Sequence, residues 1–405
     1  MTEGAVSPAE GQGSRGGVAE VLRIFLRLGL TSFGGPVAHL GYFRAEFIAR
    51  RAWLDEPSYA DIVALCQFLP GPASSQVAVS LGILRAGLAG GFAAWLGFSL
   101  PSAAALIIFA TSLRALGDLG HAPWLHGLKI VAVAVVAQAV WGMARNLCPD
   151  RPRASLAVAS AILALAVPSA FGQIAAIILG GLIGWRLFAA PGAVPATRLG
   201  FTLDRRLAVA ALVLFVALLL GLPLLAATGN HLATLVNAFY RSGALVFGGG
   251  HVVLPLLQRA VVPEGWVSND AFLAGYGAAQ AVPGPLFTFA AYLGAAMRPA
   301  PHGWLGGLIA LAAIYLPSFL LLVGILPFWD DLRRLAAVQA ALRGVNAAVV
   351  GLLVAALYTP VWTSAIATPA DFALALAAFL ALTAWKAPPW LVVLLGALVA
   401  ALLAW

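Results

Sequence analysis

Four short stretches of this chain join a backbone break to polar side chains inside otherwise apolar sequence. Gly34-Gly35-Pro36 follows an apolar run carrying Arg27, and Gly248-Gly249-Gly250-His251 follows one carrying Arg241. Pro70-Gly71-Pro72 is preceded by Gln67 and followed by Ser74 and Ser75; Pro283-Gly284-Pro285 is preceded by Gln280 and followed by Thr288. Proline lacks an N–H and its ring clashes with the preceding turn, yet it suits the first turn of a new helix. Each break is therefore expected to end one half-helix and begin another, freeing N–H groups near residues 37–39, 73–75 and 286–288. Unpaired backbone groups cannot face lipid, so they must be buried in protein or line a cavity. At the positive end of a helix dipole they form an anion site. Apart from Asp61 at one end, no acidic residue accompanies them. That pattern suits an oxyanion and disfavours a metal cation, which would draw carboxylates.

Each of these features also has a plainer reading. Proline and glycine in a membrane helix often do no more than kink it or allow close packing. Arg27 lies one turn from Arg23, where both could snorkel to the surface; a charge at a helix centre costs about 3 kcal/mol. His39 and His251 are not at matched positions, and each is expected to be packed or hydrogen-bonded rather than titrating. Gln76 and Asn346 read as ordinary polar contacts, and Cys66 and Cys148 as packed thiols, too few for a disulfide framework. What favours a site is recurrence. The two Pro-Gly-Pro breaks, each with a glutamine three residues before it, are copies of one another.

The copying extends along the whole chain. Between 25–41 and 239–255, seven of seventeen positions are identical: Phe25, Arg27, Gly29, Phe33, Gly34, Gly35 and Leu40. Trp53 matches Trp266, Gly90-Gly91 matches Gly306-Gly307, and Leu100-Pro101-Ser102 matches Leu316-Pro317-Ser318, at offsets of 213 to 216 residues. A repeat on this scale fixes the architecture before any single element does. The expected divisions are a polar, disordered cytoplasmic tail at 1–17, a first repeat at 18–189, a linker at 190–231 with one extra transmembrane helix, and a second repeat at 232–405.

The elements that carry these breaks belong in a membrane. With 62% hydrophobic and 9% charged residues, the chain cannot build a water-facing surface; a soluble domain carries about 25% charged residues. The net charge of +8 is spread singly over short loops, so it reads as a topology signal and not as a nucleic-acid surface. Apolar segments run near 18–41, 61–84, 87–113, 126–146, 154–167 and 170–189, then 205–226, then 232–258, 270–297, 303–326, 341–358, 369–385 and 388–405. The expected fold is an all-α polytopic membrane protein of two homologous six-segment halves. An odd segment between two even halves starts the second on the opposite side, giving inverted repeats of the kind many secondary transporters use. Arg85, Arg145, Arg151, Arg153, Arg186, Arg198, Arg205 and Arg206, with Arg259, Arg333, Arg334 and Lys386 of the second half, are expected on one side, while 168–170, 227–231 and 359–368 carry no Lys or Arg. This bias places the N-terminus inside. The stretch 42–61 dissents: it balances Arg44, Arg50 and Arg51 against Glu46, Asp55, Glu56 and Asp61, and reads as an amphipathic segment on the membrane surface. No nucleotide loop, metal-ligand cluster or nucleophile–base arrangement marks an enzyme, and no cofactor is expected.

Phe33-Gly-Gly-Pro36, Gln67-Phe-Leu-Pro-Gly-Pro72, Phe247-Gly-Gly-Gly-His-Val-Val-Leu-Pro255 and Ala279-Gln-Ala-Val-Pro-Gly-Pro285 together resemble the signature blocks of the chromate ion transporter family in its long, two-domain form. The likeness covers nearly all of 18–405. It implies a plasma-membrane protein that exports the chromate dianion from the cytoplasm, drawing on the proton-motive force, and so confers chromate resistance. The residues alone stop short of chromate. Sulfate, another tetrahedral dianion, would suit the same groups, as would an exchanger of a small oxyanion or an uncoupled anion channel. The expected partners are the oxyanion and the lipid bilayer, with no nucleic acid; a homodimer stays open. Gly250 stands where the first repeat has Pro36, so the two halves need not contribute equally.

Overall fold

The computed structural model describes residues 16–115, 123–188, 203–247, 250–332 and 335–402. Most of the tail and of the linker before residue 203, together with Gly248 and Gly249, lie outside the described residues. Every regular element among those described is helical.

The first segment is a hairpin and not a broken crossing. Helices α1 (Val18–Thr31) and α2 (Gly35–Arg44) meet through Ser32, Phe33 and Gly34, and a π-turn at Ala45–Arg50 extends α2. Phe25 of α1 packs on Phe47 and Phe43 with ring centroids 5.1 and 5.8 Å apart. Arg51, just past the second leg, returns to Glu20 in the first turn of α1 at 3.7 Å. The reversal is local chemistry: Gly34 and Gly35 adopt φ of +99° and +76°, open only to glycine without strain. With 14 residues, α1 is about 21 Å long, short of the roughly 30 Å a crossing requires. It lies against the long fourth helix where Gly29 meets the backbone of Gly97 and Phe98, an approach that a methyl group at Gly29 would block at 2.6 Å.

The second segment repeats the device. Helix α3 (Glu56–Phe68), capped by Asp55, runs in to Pro70-Gly71-Pro72, and α4 (Ala73–Ala115) starts back out. Cys66 faces Ser80 across this hairpin at 3.8 Å. At Ala86 and Gly87 the backbone leaves helical angles, so α4 is a short leg, 73–85, followed by a long arm, 88–115. Then come α5 (Pro123–Leu147), α6 (Arg151–Ala166), α7 (Ala170–Leu187) and α8 (Arg205–Ala226), the last coinciding with the extra segment expected between the repeats. The second repeat follows the same plan: α9 (His231–Ala244), a 3-10 turn at Gly250–Val252, α10 (Val253–Val261), α11 (Asn269–Ala281), α12 (Phe289–Ala296), α13 (Gly303–Ile325), α14 (Ala336–Ala356), α15 (Pro369–Thr383) and α16 (Pro389–Leu402). His231 against Trp266 (4.9 Å) closes the base of the hairpin α9–α10; Tyr292, donating to the Ala271 carbonyl at 2.8 Å, pairs α11 with α12.

Contacts between helix ends establish the inversion. On the face where α1–α2 and α3–α4 open, Arg85 reaches Glu20 at 3.2 Å and Arg205 lies over Phe328. On the opposite face, Arg114 at the end of α4 donates to the Met297 carbonyl, Lys129 pairs with Asp270, and His126 with Asp371. The hairpins of the second repeat therefore open on the opposite face, and Arg259, expected on the side of the N-terminus, lies there instead, donating to the Ser169 carbonyl. Four of the expected crossings (18–41, 61–84, 232–258 and 270–297) are corrected to hairpins that return to their own side. The long described stretches that run between the faces are 88–115, α5, α8, α13 and α14. The five helices containing them have the length and hydropathy of a membrane span by themselves, and the chain is a multi-pass membrane protein.

Candidate functional site

Each hairpin carries its helix break at its tip, and the four tips meet. The N–H of Gly71, in the Pro-Gly-Pro of the first repeat, donates to the carbonyl of Val246 at the α9–α10 tip, 2.6 Å away. The N–H of Gly284, in the Pro-Gly-Pro of the second, donates to the carbonyl of Ser32 at the α1–α2 tip at 2.9 Å. Ser32 and Val246 are themselves counterparts at the repeat offset of 214, so the two bonds are one bond made twice about a pseudo-two-fold axis.

Both glycines are required by space as well as by angle. Gly71 has φ +124° and Gly284 φ +100°. A methyl on Gly71 would lie 2.7 Å from Ser318 Oγ, and one on Gly284 would lie 2.9 Å from Ser102 Oγ. These serines are the matched ends of Leu100-Pro101-Ser102 and Leu316-Pro317-Ser318. Each Pro-Gly-Pro turn thus sits between a hairpin tip and a serine of the other repeat. At the centre, Pro36 and Gly250 face one another, with 3.7 Å from the Pro36 ring to where a Cβ on Gly250 would stand.

The dipoles at this junction are unevenly satisfied. The first leg of every hairpin brings a carbonyl end to the centre and the second leg brings an N–H end. Two of the carbonyls, on Ser32 and Val246, are taken by the cross-repeat bonds. Among the described residues, the N–H groups of Ala73, Ser74 and Ser75 make no backbone hydrogen bond. Buried donors of this kind are seldom left unmade, and at helix starts they favour negative charge. Around them Ser74 lies 3.4 Å from His39 Nδ1, His39 Nε2 lies 3.2 Å from the Ser32 carbonyl, and Ser75 lies 3.4 Å from the Tyr315 hydroxyl. Ser32 Oγ, Ser99 Oγ, Gln76 Oε1 and Gln280 Nε2 are buried without a partner. The junction is rich in small polar groups and holds no carboxylate at its tips.

The expected site residues divide in three. Gly34, Gly35, Pro36, Pro70, Gly71, Pro72, Ser74, Ser75, Gly250, Gln280, Pro283, Gly284, Pro285 and Thr288 lie in or beside the tips, with Thr288 Oγ1 donating back to the Pro285 carbonyl at 2.8 Å. His251 lies in the 3-10 turn before α10 and meets the Tyr276 hydroxyl at 2.7 Å. Gly248 and Gly249 lie outside the described residues. Gln67 is exposed on α3; the glutamine that braces the first Pro-Gly-Pro is Gln76, donating to the Pro70 carbonyl at 2.9 Å.

The arginines sit away from the tips. Arg27 is 48% exposed and bound to Glu46 at 2.6 Å, in a cluster where Arg51 and Arg50 approach the same carboxylate at 2.6 and 3.2 Å. The stretch 42–61, read as a surface segment, instead completes the second leg of the first hairpin as far as Arg50 and begins α3 at Glu56, and the leg brings the acid that occupies Arg27. Arg241 lines a separate cavity beside α9. Sequence reasoning missed Ser102, Ser318 and Ser32, and named Gln76 as a polar contact without its partner. The Leu-Pro-Ser repeat was the available signal for the first two, but no spacing shows which tip they would meet.

Comparison with known proteins adds an independent line. A family model described as chromate transporter matches residues 19–185 and again 233–401. A chromate transport protein of Pseudomonas aeruginosa is 30% identical over 338 residues, covering 81% of this chain and 77% of that protein. An uncharacterized transporter of Methanocaldococcus jannaschii is 27% identical over 82% of this chain and 81% of its own length, and a chromate transport protein of Cupriavidus metallidurans is 25% identical over 83% and 81%. No solved structure matches.

Proposed function

The chain belongs to the chromate transporter family, and from that premise we propose that it exports the chromate dianion across the plasma membrane through the junction of the four hairpin tips. The observation that carries this reading is the pair of cross-repeat bonds, Gly71 to Val246 and Gly284 to Ser32. They hold carbonyl ends together and leave N–H ends at helix starts for an anion. Two repeats of opposite orientation around one junction suit alternating access, in which one repeat rocks against the other. The relatives named for chromate transport supply the cargo, and the proton-motive force is the proposed drive. The N-terminus is proposed to be cytoplasmic, as the Arg-poor loops 168–170, 227–231 and 359–368 suggest. Export of this kind would confer chromate resistance.

Inside-out vesicles carrying the protein and given labelled chromate with a proton gradient should accumulate it, and a protonophore should abolish the uptake. Absence of uphill accumulation removes coupled export, and conductance without accumulation identifies a channel. Sulfate competing as strongly as chromate itself would make the protein a general transporter of tetrahedral dianions.

A further inference from the structure

We propose that the cavity beside α9 and α10 is a second anion site, distinct from the tip junction, that takes an oxyanion group between Arg241 and Arg259. The cavity has a volume of about 220 Å³ and opens beside the base of the second repeat's first hairpin. The Arg241 side chain has no hydrogen-bond or ion-pair partner among the described residues. Arg259 is anchored only by neutral groups, donating to the carbonyls of Ser169 (2.5 Å) and Ala164 (3.3 Å) between α6 and α7. On the facing wall Gln173 is 2% exposed, and beside Arg241 the side-chain amide of Asn237 is buried with its Oδ1 unpartnered among the described residues. A buried amide and two guanidinium groups without a bound carboxylate form an incomplete polar network, and such groups are costly unless something completes them. Glu264 is exposed on the rim and forms no ion pair with either arginine.

The first repeat shows what completes it. Arg241 is the counterpart of Arg27 at the offset of 214. In the first repeat the Trp53 N–H bonds to Phe47, six residues back; in the second the Trp266 N–H bonds to Val261, five back. The extra residue of the π-turn thus lies after Phe47, and Glu46 corresponds to Ala260. Ala260 lines the cavity. The space is therefore the space of the missing glutamate, and a ligand there takes the place of the carboxylate that Arg27 and Arg51 hold at 2.6 Å in the first repeat. That defines the ligand chemistry: an anionic group with at least two oxygens at carboxylate-like separation, as in a free sulfate-like ion or a phospholipid headgroup. The site stands whether or not chromate is the transported ion.

Its test is local. Full-length protein in phosphatidylcholine nanodiscs is treated with phenylglyoxal, which modifies accessible guanidinium groups, and labelling at Arg241, Arg259 and Arg27 is read by peptide mass spectrometry. Sodium sulfate at ten times its dissociation constant should slow labelling of Arg241 by about tenfold by simple mass action. Sodium chloride of equal ionic strength should not, nor should sulfate alter labelling at Arg27, where Glu46 is already seated. Ala260→Glu should make Arg241 as resistant as Arg27 without added anion, and should abolish the sulfate effect. Protection that appears only when phosphatidylglycerol is in the disc assigns the site to a headgroup; protection by sulfate in pure phosphatidylcholine assigns it to a free oxyanion. If neither protects Arg241 beyond chloride, or if Ala260→Glu leaves sulfate protection intact, the site does not exist as described. Since the readout requires no transport, failure here and failure of chromate uptake are separate results.

Discussion

At the residue scale the junction rests on two glycines that no other residue can replace without penalty. Gly71→Ala places a methyl 2.7 Å from Ser318 Oγ at a φ of +124°. The backbone term alone is about 1–2 kcal/mol, and the steric displacement also threatens the bond to Val246. We expect thermal unfolding of the purified protein at lower temperature and a larger fractional loss of transport than of protein level. Combining Gly71→Ala with Ser318→Gly should recover the part of the loss due to Ser318 and leave the backbone part and the 2.9 Å approach to Gln76 Nε2. Full recovery, or none, would show that one of the two causes is not acting. Arg27 and Glu46 give a second contrast. Half-exposed Arg27 is one of three cations on one buried carboxylate, so Arg27→Gln should cost about 1 kcal/mol or less. Glu46→Gln leaves Arg27, Arg50 and Arg51 facing one another and should cost about 3 kcal/mol. Denaturation of both variants in detergent checks the order, and a costlier Arg27→Gln would reverse this account. The tip glycines were legible in the sequence as repeated breaks. The acid that occupies Arg27 was not, because a charge-balanced stretch looks the same on a membrane surface as on the leg of a hairpin.

At the element scale, a glycine–proline break fixes where a helix stops but not the angle at which the next begins. The run 18–41 has the composition and length of a crossing, and the meeting of Phe25 with Phe43 and Phe47 and of Arg51 with Glu20 reveals a chain that turns back. The duplication, the extra helix at Arg205–Ala226 and the inverted arrangement were all readable, because they depend on counting segments and each repeat loses two crossings to hairpins, which leaves its parity unchanged. The hairpins make a directional prediction. Single cysteines at Val18 and Asp55, in a chain with Cys148→Ser, should react with an impermeant maleimide from one and the same face. A cysteine at Glu264, at the base of the second repeat's hairpin, should react from the other. Reaction of Val18→Cys and Asp55→Cys from opposite faces would restore the crossing reading of the first segment.

At the scale of the whole molecule, four hairpins that enter from two sides and bond at their tips form a plug through the middle of the protein. In this arrangement the tips touch: a side chain on Gly250 would stand 3.7 Å from the Pro36 ring. If the repeats rock against each other, this is the contact that must open, since Gly71–Val246 and Gly284–Ser32 tie each repeat to the other and not to itself. A double variant, Pro36→Cys with Gly250→Cys in the Cys148→Ser chain, should form a disulfide on mild oxidation, because Gly250 has room for a side chain directed at residue 36. Cys66 is buried and stays out of the exchange. Oxidised protein should lose chromate uptake in inside-out vesicles, and reduction should restore it. Each single variant, treated with the same oxidant, should keep the activity it had before oxidation. Transport by the cross-linked protein at the rate of its reduced form would mean that the tips stay joined while the anion passes, and the moving contact would have to lie elsewhere.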